Sequence, residues 1–325
     1  MPSTPHTTSR PGPWRAVEQR LVHKVAADEV LVTDLAPVTP GLVAVAARWP
    51  AGHRLYDRRA GTVGHLLLVI ETIRQAGLCI AHAHLGVPLG EQFIFHRMSV
   101  RLAAPAADLA GTGPAGTVAT VEPTPRFRVG RPSGATLAVE IRHEGHLRAT
   151  AEADYSWAPR RVYDRLRAAG RPAATPAGTG GLVPHPRGPG HDERTVRGGT
   201  PVAVDLTDPT FFDHEVDHLP GMLLIDAALR AAAGRGRGPL TGLDVGFDRF
   251  AELDRATWVR TRSARHADGP AVDVRLGQDE EIVARASVLV GDGGAAGLRP
   301  ATRAAAAAGP APRTRPAAPA GPAGR

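Results

Sequence analysis

The sequence predicts an α+β protein of two related halves in tandem, each a curved antiparallel sheet laid around one long buried helix. Three observations carry that expectation: a helix-period stretch that is apolar on nearly every side, clean two-residue alternation in the segments that close each half, and the same order of elements appearing twice. At 325 residues the chain is long enough for two domains of ordinary size, each with its own core.

Residues 1–20 are rich in Pro, Thr and Ser and are expected to fray as a disordered lead-in. The first half is expected over residues 21–159. It opens with "EVLVTDL" (29–35) and "LVAVAARWP" (42–50), β-branched runs split by a Pro/Gly turn, which read as two strands. In "GHLLLVIETIRQAGLCIAHAH" the apolar residues at 66, 67, 69, 70, 73, 78 and 80 surround most of a 3.6-residue period, so this helix must be covered on most sides. "QFIFHRMSVRL" and "GTVATVEP" follow as strands. Leu137, Val139 and Ile141 then alternate with polar neighbours, "HEGH" turns the chain, and Leu147, Ala149, Ala151, Ala153 and Tyr155 alternate back as a long hairpin.

Residues 160–198 are rich in Pro, Gly and Arg without period and read as an interdomain linker. The second half, 199–291, repeats the order of the first. "TPVAVDLTD" gives a short strand, "LPGMLLIDAALRAA" a helix opened by Pro220, "GLDVGFDRF" and "ATWVRTR" two strands, and Val272 to Val290 a second closing hairpin. The Ala/Pro/Arg tail at 292–325 has nothing to bury and is expected to be disordered. A sheet covering an all-round apolar helix has to curl about it, which is the hot dog architecture; two copies make a tandem double hot dog.

Net charge +7 invites a nucleic-acid reading, but the excess sits in the linker and the tail, which leaves the two halves slightly acidic and without a basic stripe. No nucleic-acid partner is expected. The single cysteine, Cys79, excludes an internal disulfide and a cysteine metal cluster, and on the buried helix it reads as apolar filler. His82 and His84 are spaced i, i+2 and would not converge on one metal, so no metal is expected, and no cofactor either. The apolar stretches are broken by charge before membrane-spanning length and no signal core is present, so the expectation is a cytoplasmic protein with no membrane partner.

The chemistry-bearing segment of the second half is "PTFFDHEVDHLPGMLLIDAALRAA", which resembles the active-site segment of hot dog dehydratases of fatty-acid synthesis. Pro-Gly starts the helix, so the free amides near Gly221 and Met222 and the positive end of the helix dipole can stabilise an oxyanion forming on a thioester carbonyl. His214 lies on the approaching loop as a proton carrier, with Asp226 on the helix wall. The first half supplies His53 in "WPAGHRLYD" and Glu71 at the matching place in its helix. The resemblance implies sites composed across two subunits, here fused: His214 with Glu71, the favoured catalytic pair, and His53 with Asp226. Each residue also has a structural reading. His214 and His218 could merely brace their loop through Asp213 and Asp217, and Glu71 could pair with Arg74 one turn on. Lys24, the only lysine beside 38 arginines, and Arg74 are the candidates for holding a phosphate, and His218 is a further binding candidate.

"VHKVAADEVLVTDL", "RWPAGHRLYD", "LLLVIETIRQAG", "VPLGEQFIF" and "FFDHEVDHLPGMLLIDAA" occur in the order seen in the A-factor biosynthesis (AfsA-type) hot dog proteins of actinomycetes, which this chain resembles over residues 21–290. The resemblance implies γ-butyrolactone signal biosynthesis, in which a β-ketoacyl group passes from acyl carrier protein to a phosphorylated acceptor, dihydroxyacetone phosphate. In that pattern the second helix carries Glu where this chain has Asp226. The residues alone fit dehydration of a 3-hydroxyacyl thioester or thioester hydrolysis equally well, and a non-catalytic acyl-binding protein remains a different class of reading.

Overall fold

The computed structural model describes residues 12–50, 53–57, 62–103, 116–170, 199–236 and 238–291. The first half contains β1 (Arg15–Ala16), β2 (Val32–Thr39), β3 (Leu42–Ala47), the short helix α1 (Arg54–Asp57), the long helix α2 (Thr62–Ala83), and β4 (Gln92–Leu102), β5 (Thr117–Arg128), β6 (Arg131–His143) and β7 (His146–Ala158). After helix α3 (Arg160–Gly170), the second half runs β8 (Thr200–Pro201), α4 (Gly221–Arg235), β9 (Leu240–Phe247), β10 (Thr257–His266), β11 (Gly269–Gln278) and β12 (Glu281–Val290).

The strands form one antiparallel sheet in the order β1-β2-β3-β5-β6-β7-β4-β9-β12-β11-β10-β8. Either side of the central β4–β9 pair the order mirrors itself, with β7, β6, β5 and β3 answered by β12, β11, β10 and β8. This is the duplication that the repeated element order predicts. The seam runs in register from Arg97 opposite Gly246 to Arg101 opposite Gly242. A side chain at Gly242 would place its Cβ 2.6 Å from the Val100 carbonyl oxygen, so the halves can close this tightly only over glycine. Arg101 fastens the same seam by pairing with both Asp244 and Asp268.

Helices α2 and α4 lie against each other and against the sheet, and the buried apolar residues of both halves form one continuous core. Val63–Ala83 has the length and apolarity of a membrane-crossing helix, yet 94% of that window is buried inside the fold, so its apolarity is accounted for by the core. The sheet packs closely on α2 at Gly77, where a Cβ would sit 3.0 Å from Leu137 and whose carbonyl accepts a 3.0 Å bond from the Tyr155 hydroxyl. Both closing hairpins turn at residues in the left-handed region, Glu144–Gly145 in the first half and Asp279 in the second.

Two boundaries differ from the sequence expectation. Within the lead-in, Arg15–Ala16 pairs with β2 and residues 19–22 form a 3-10 turn, because Val22 finds a fully buried place in the core. The first eleven residues assigned to the linker form α3, whose Tyr163 and Arg167, one turn apart, are both buried. Residues 171–198 and 292–325, expected as disordered linker and tail, lie outside the described residues, as do residues 1–11.

Candidate active site

The site gathers on Glu71, which is 3% exposed in the middle of α2. Arg74, one turn on, donates to both carboxylate oxygens at 2.8 Å, and Gln75 Nε2 donates to Oε1 at 2.8 Å. Lys24 Nζ lies 3.7 Å from the same oxygen. Burial by itself pushes the Glu71 carboxyl up, but the charges of Arg74 and Lys24 and the donated bonds outweigh it and hold the group at about 2, so it is ionised. Gln75 is fixed in turn, accepting from the Leu31 amide at 2.8 Å and donating to the Glu29 carbonyl at 2.7 Å.

The segment His23–Lys24–Val25 stitches the halves together here. Lys24 Nζ donates to the Thr210 carbonyl at 3.2 Å, and the Val25 amide donates to Asp213 Oδ2 at 2.9 Å. Asp213 Oδ1 accepts from His214 Nδ1 at 2.6 Å. Burial opposes ionisation of Asp213, but the bond from His214, the charge of Lys24 and the Val25 amide hold it at about 2. An ionised carboxylate only accepts, so His214 carries its proton on Nδ1 and, when neutral, leaves Nε2 as a base. His214 is partly exposed, its side chain 44% accessible beside an almost fully covered Asp213.

His23 adds a second imidazole pair. It stands in the left-handed region with φ 54°, and its Nε2 is 2.8 Å from His82 Nε2, while His82 Nδ1 is 2.7 Å from the Val87 carbonyl oxygen. That oxygen can only accept, so with both rings neutral His82 donates from Nδ1 and accepts from His23 on Nε2. Burial, followed by His82, Arg74 and His214, lowers His23 to about 4. Phe93 meets both rings edge-on at 5.3 and 5.2 Å, stacks in turn on Tyr155 and makes a tilted contact with Trp157 at 5.8 Å.

The structure therefore brings Lys24, Glu71, Arg74 and the loop of His214 to one place, but with different pairings from those expected. Glu71 is saturated by Arg74, Gln75 and Lys24, and the carboxylate that orients His214 is Asp213. His53 turns to Glu29, with Nε2 3.5 Å from Oε2, and its Nδ1 accepts from the Leu55 amide at 3.2 Å. It makes no pair with Asp226, which is wholly buried in α4 and lies 2.9 Å from Arg230. The separation follows from position: His53 precedes α1 beside the Glu29 turn, whereas Asp226 faces the interior of the other half. His218 is drawn off to α3: its Nδ1 donates to Asp217 at 2.6 Å, its ring meets Phe250 at 4.9 Å, and Asp217 also accepts from Tyr163 and Arg167. Gly221 and Met222 open α4 after Pro220, with Gly221 packed on Phe247.

Sequence reasoning missed Gln75, Glu29, His23 and His82 as parts of this constellation. Gln75 was legible, since it stands at i+4 from Glu71. The His23–His82 pair was not, because 59 residues separate its members. Among the described residues no group of three His, Cys, Asp or Glu side chains could hold a metal ion.

Comparison with known proteins adds a family. The profile of the A-factor biosynthesis hotdog domain matches residues 6–158. A 2-oxo-3-(phosphooxy)propyl 3-oxoalkanoate synthase of Streptomyces virginiae is 32% identical over 86% of this chain and 98% of its own length. A protein of the same description from Streptomyces coelicolor is 30% identical over 78% of this chain and 83% of its own. An acyl-ACP thioesterase from Bacteroides thetaiotaomicron superposes with a TM-score of 0.48 at 10% identity, covering 77% of this chain and 97% of its own, too distant a likeness to bear on function.

Proposed function

This chain belongs to the A-factor biosynthesis hotdog family, and on that premise we propose that it joins a 3-oxoacyl group to dihydroxyacetone phosphate, the first ester of a γ-butyrolactone signal. The chemistry is legible in the name its relatives carry. A 2-oxo-3-(phosphooxy)propyl 3-oxoalkanoate is the ester of that phosphorylated hydroxyketone with a β-keto acid. Forming it needs an acyl donor activated enough to react with an alcohol, and a thioester on acyl carrier protein in the cytoplasm is the donor we infer.

The observation that supports the reading is the convergence of Lys24, Arg74 and the Asp213–His214 pair from opposite halves of the chain. In the proposed step His214 Nε2 takes the proton of the acceptor hydroxyl, whose oxygen attacks the thioester carbonyl. The α4 amides at Gly221 and Met222 take up the charge of the tetrahedral oxyanion. The C–S bond then breaks, and the thiolate takes the proton back from His214. Lys24 and Arg74 hold the acceptor phosphate, with Glu71 fixing both cations in place.

Incubating the protein with β-ketoacyl carrier protein, with and without dihydroxyacetone phosphate, tests this. Phosphorylated ester appearing only with the acceptor is the expected result. Free acid in both reactions would make the protein a thioesterase, and loss of water from a 3-hydroxyacyl carrier protein offered in a separate reaction would make it a dehydratase; either outcome sinks the transfer.

A further inference from the structure

We propose that the β5–β6 hairpin tip and the outer face of α3 form the docking surface for the acyl donor, a small carrier protein with an acidic face. The proposal rests on the reading of the chain as an acyltransferase and adds where its donor binds. At the hairpin tip Phe127 is 63% exposed and Val129 95% exposed, flanked by exposed Arg128 and Arg131. The tip is a formed turn: Arg128 pairs with Arg131, and Val129 and Gly130 both take positive φ. An aliphatic residue held left-handed and in water costs free energy that nothing within the fold offsets.

Helix α3 begins beside this tip, three residues after Trp157, whose indole donates to the Pro132 carbonyl at 3.0 Å. Its inner face is spent on Tyr163 and Arg167, and Arg160 pairs with Asp164, which leaves Arg161, Arg165 and the 48% exposed Leu166 facing outward. Arg126 is satisfied by Asp154. Among the described residues, Arg128, Arg131, Arg161 and Arg165 have no carboxylate partner, on a body that is otherwise slightly acidic.

The patch is connected to the site. From Pro132 the contacts run through Trp157 to Phe93, and from Phe93 edge-on to His23, the neighbour of Lys24. A donor tethered to a carrier must leave the carrier's body outside while its thioester reaches Lys24 and His214, so the body belongs at the outer end of this aromatic wall. Four uncompensated guanidinium groups around exposed apolar side chains suit an acidic protein face. Nucleic acid or an anionic membrane would also be drawn to arginine, but neither has need of a passage to the site.

The full chain and two charge-reversed forms, Arg128→Glu with Arg131→Glu and Arg161→Glu with Arg165→Glu, are to be assayed with one β-ketoacyl group on carrier protein and on N-acetylcysteamine. The expected result is a fall of at least about tenfold in kcat/KM for the carrier-borne donor, carried by KM, with the small thioester unchanged, and a wild-type carrier rate that alone declines with salt. Equal losses with both donors, or none with the carrier, overturn the surface. Calorimetric titration of the carrier into each protein keeps the two proposals separable. Arginine-dependent binding without turnover of either donor would keep the surface and sink the transferase; binding only to oligonucleotides or anionic vesicles would overturn the surface.

Discussion

A carboxylate persists in the apolar interior of α2 only because Glu71 is surrounded by donors, and that makes it a sensitive point. Glu71→Gln strands Arg74 and Lys24 in a covered site and is expected to cost about 3–5 kcal/mol in urea unfolding; a loss below about 1 kcal/mol would mean the cations are better hydrated than their burial implies. Glu71 and Asp213 are both depressed to about 2, from 4.5 and 3.8, so their stabilisation is complete above about pH 4.5 and is lost as pH falls towards 2. His23, lowered from 6.5 to about 4, also resists protonation in the folded state. The unfolded chain takes that proton first, so stability should begin to decline as pH drops below 6.5, with the histidine contribution exhausted near 4. Melting temperature against pH checks both ranges, and His23→Asn should shrink the upper decline, leaving the part that comes from His53 and His96, which burial also lowers. For catalysis, His214→Ala is expected to lower kcat about 10²–10⁴-fold; full activity in a folded His214→Ala protein would remove His214 from the proposed step.

At the level of elements, α3 is a brace on the loop that carries His214. Arg167 makes a two-bond pair with Glu252 at 2.7 and 2.8 Å and also binds Asp217, while its guanidinium lies 4.7 Å from the Phe250 ring centre. Because that pair is almost fully covered, Arg167→Ala removes two short charged bonds from the interior and should cost about 3 kcal/mol. Hydrogen exchange should then quicken in α3 and in residues 205–220, with a smaller fall in kcat as the loop loses its support. Unchanged exchange would show that the loop is held by its own turns, such as the amides of Phe211 and Phe212 on the Asp208 carbonyl. The sequence reading assigned this segment to a linker because Arg-rich composition masks the Tyr163/Arg167 spacing of one helical turn.

For the whole molecule, the shared core and the β4–β9 seam predict one cooperative unfolding transition rather than two. Gly242→Val drives a side chain into the Val100 carbonyl and should separate the halves, visible as two calorimetric transitions or loss of the folded protein, with activity gone in either case. A single unchanged transition would show that the seam relaxes without consequence. The site depends on the seam in the same way, since Lys24 and Val25 come from one half and Thr210, Asp213 and His214 from the other.

The linear pattern alone determined the long helices, the closing hairpins and their duplication, though not α3 or β1. Alternation in Leu137–Tyr155 and Val272–Val290 sets which face of each hairpin is buried, and the all-round apolarity of Leu66–Ile80 requires a sheet wrapped about α2. Candidate residues could likewise be read as types at positions: a carboxylate in an apolar helix, a histidine before Pro-Gly. Which groups meet was decided only by tertiary structure. Contacts such as Lys24 with Thr210, Val25 with Asp213 and His23 with His82 span 59 to 188 residues, and no local period encodes them. Short-range physics fixes the face a side chain occupies, whereas its partner depends on how far two halves rotate before their shared core closes.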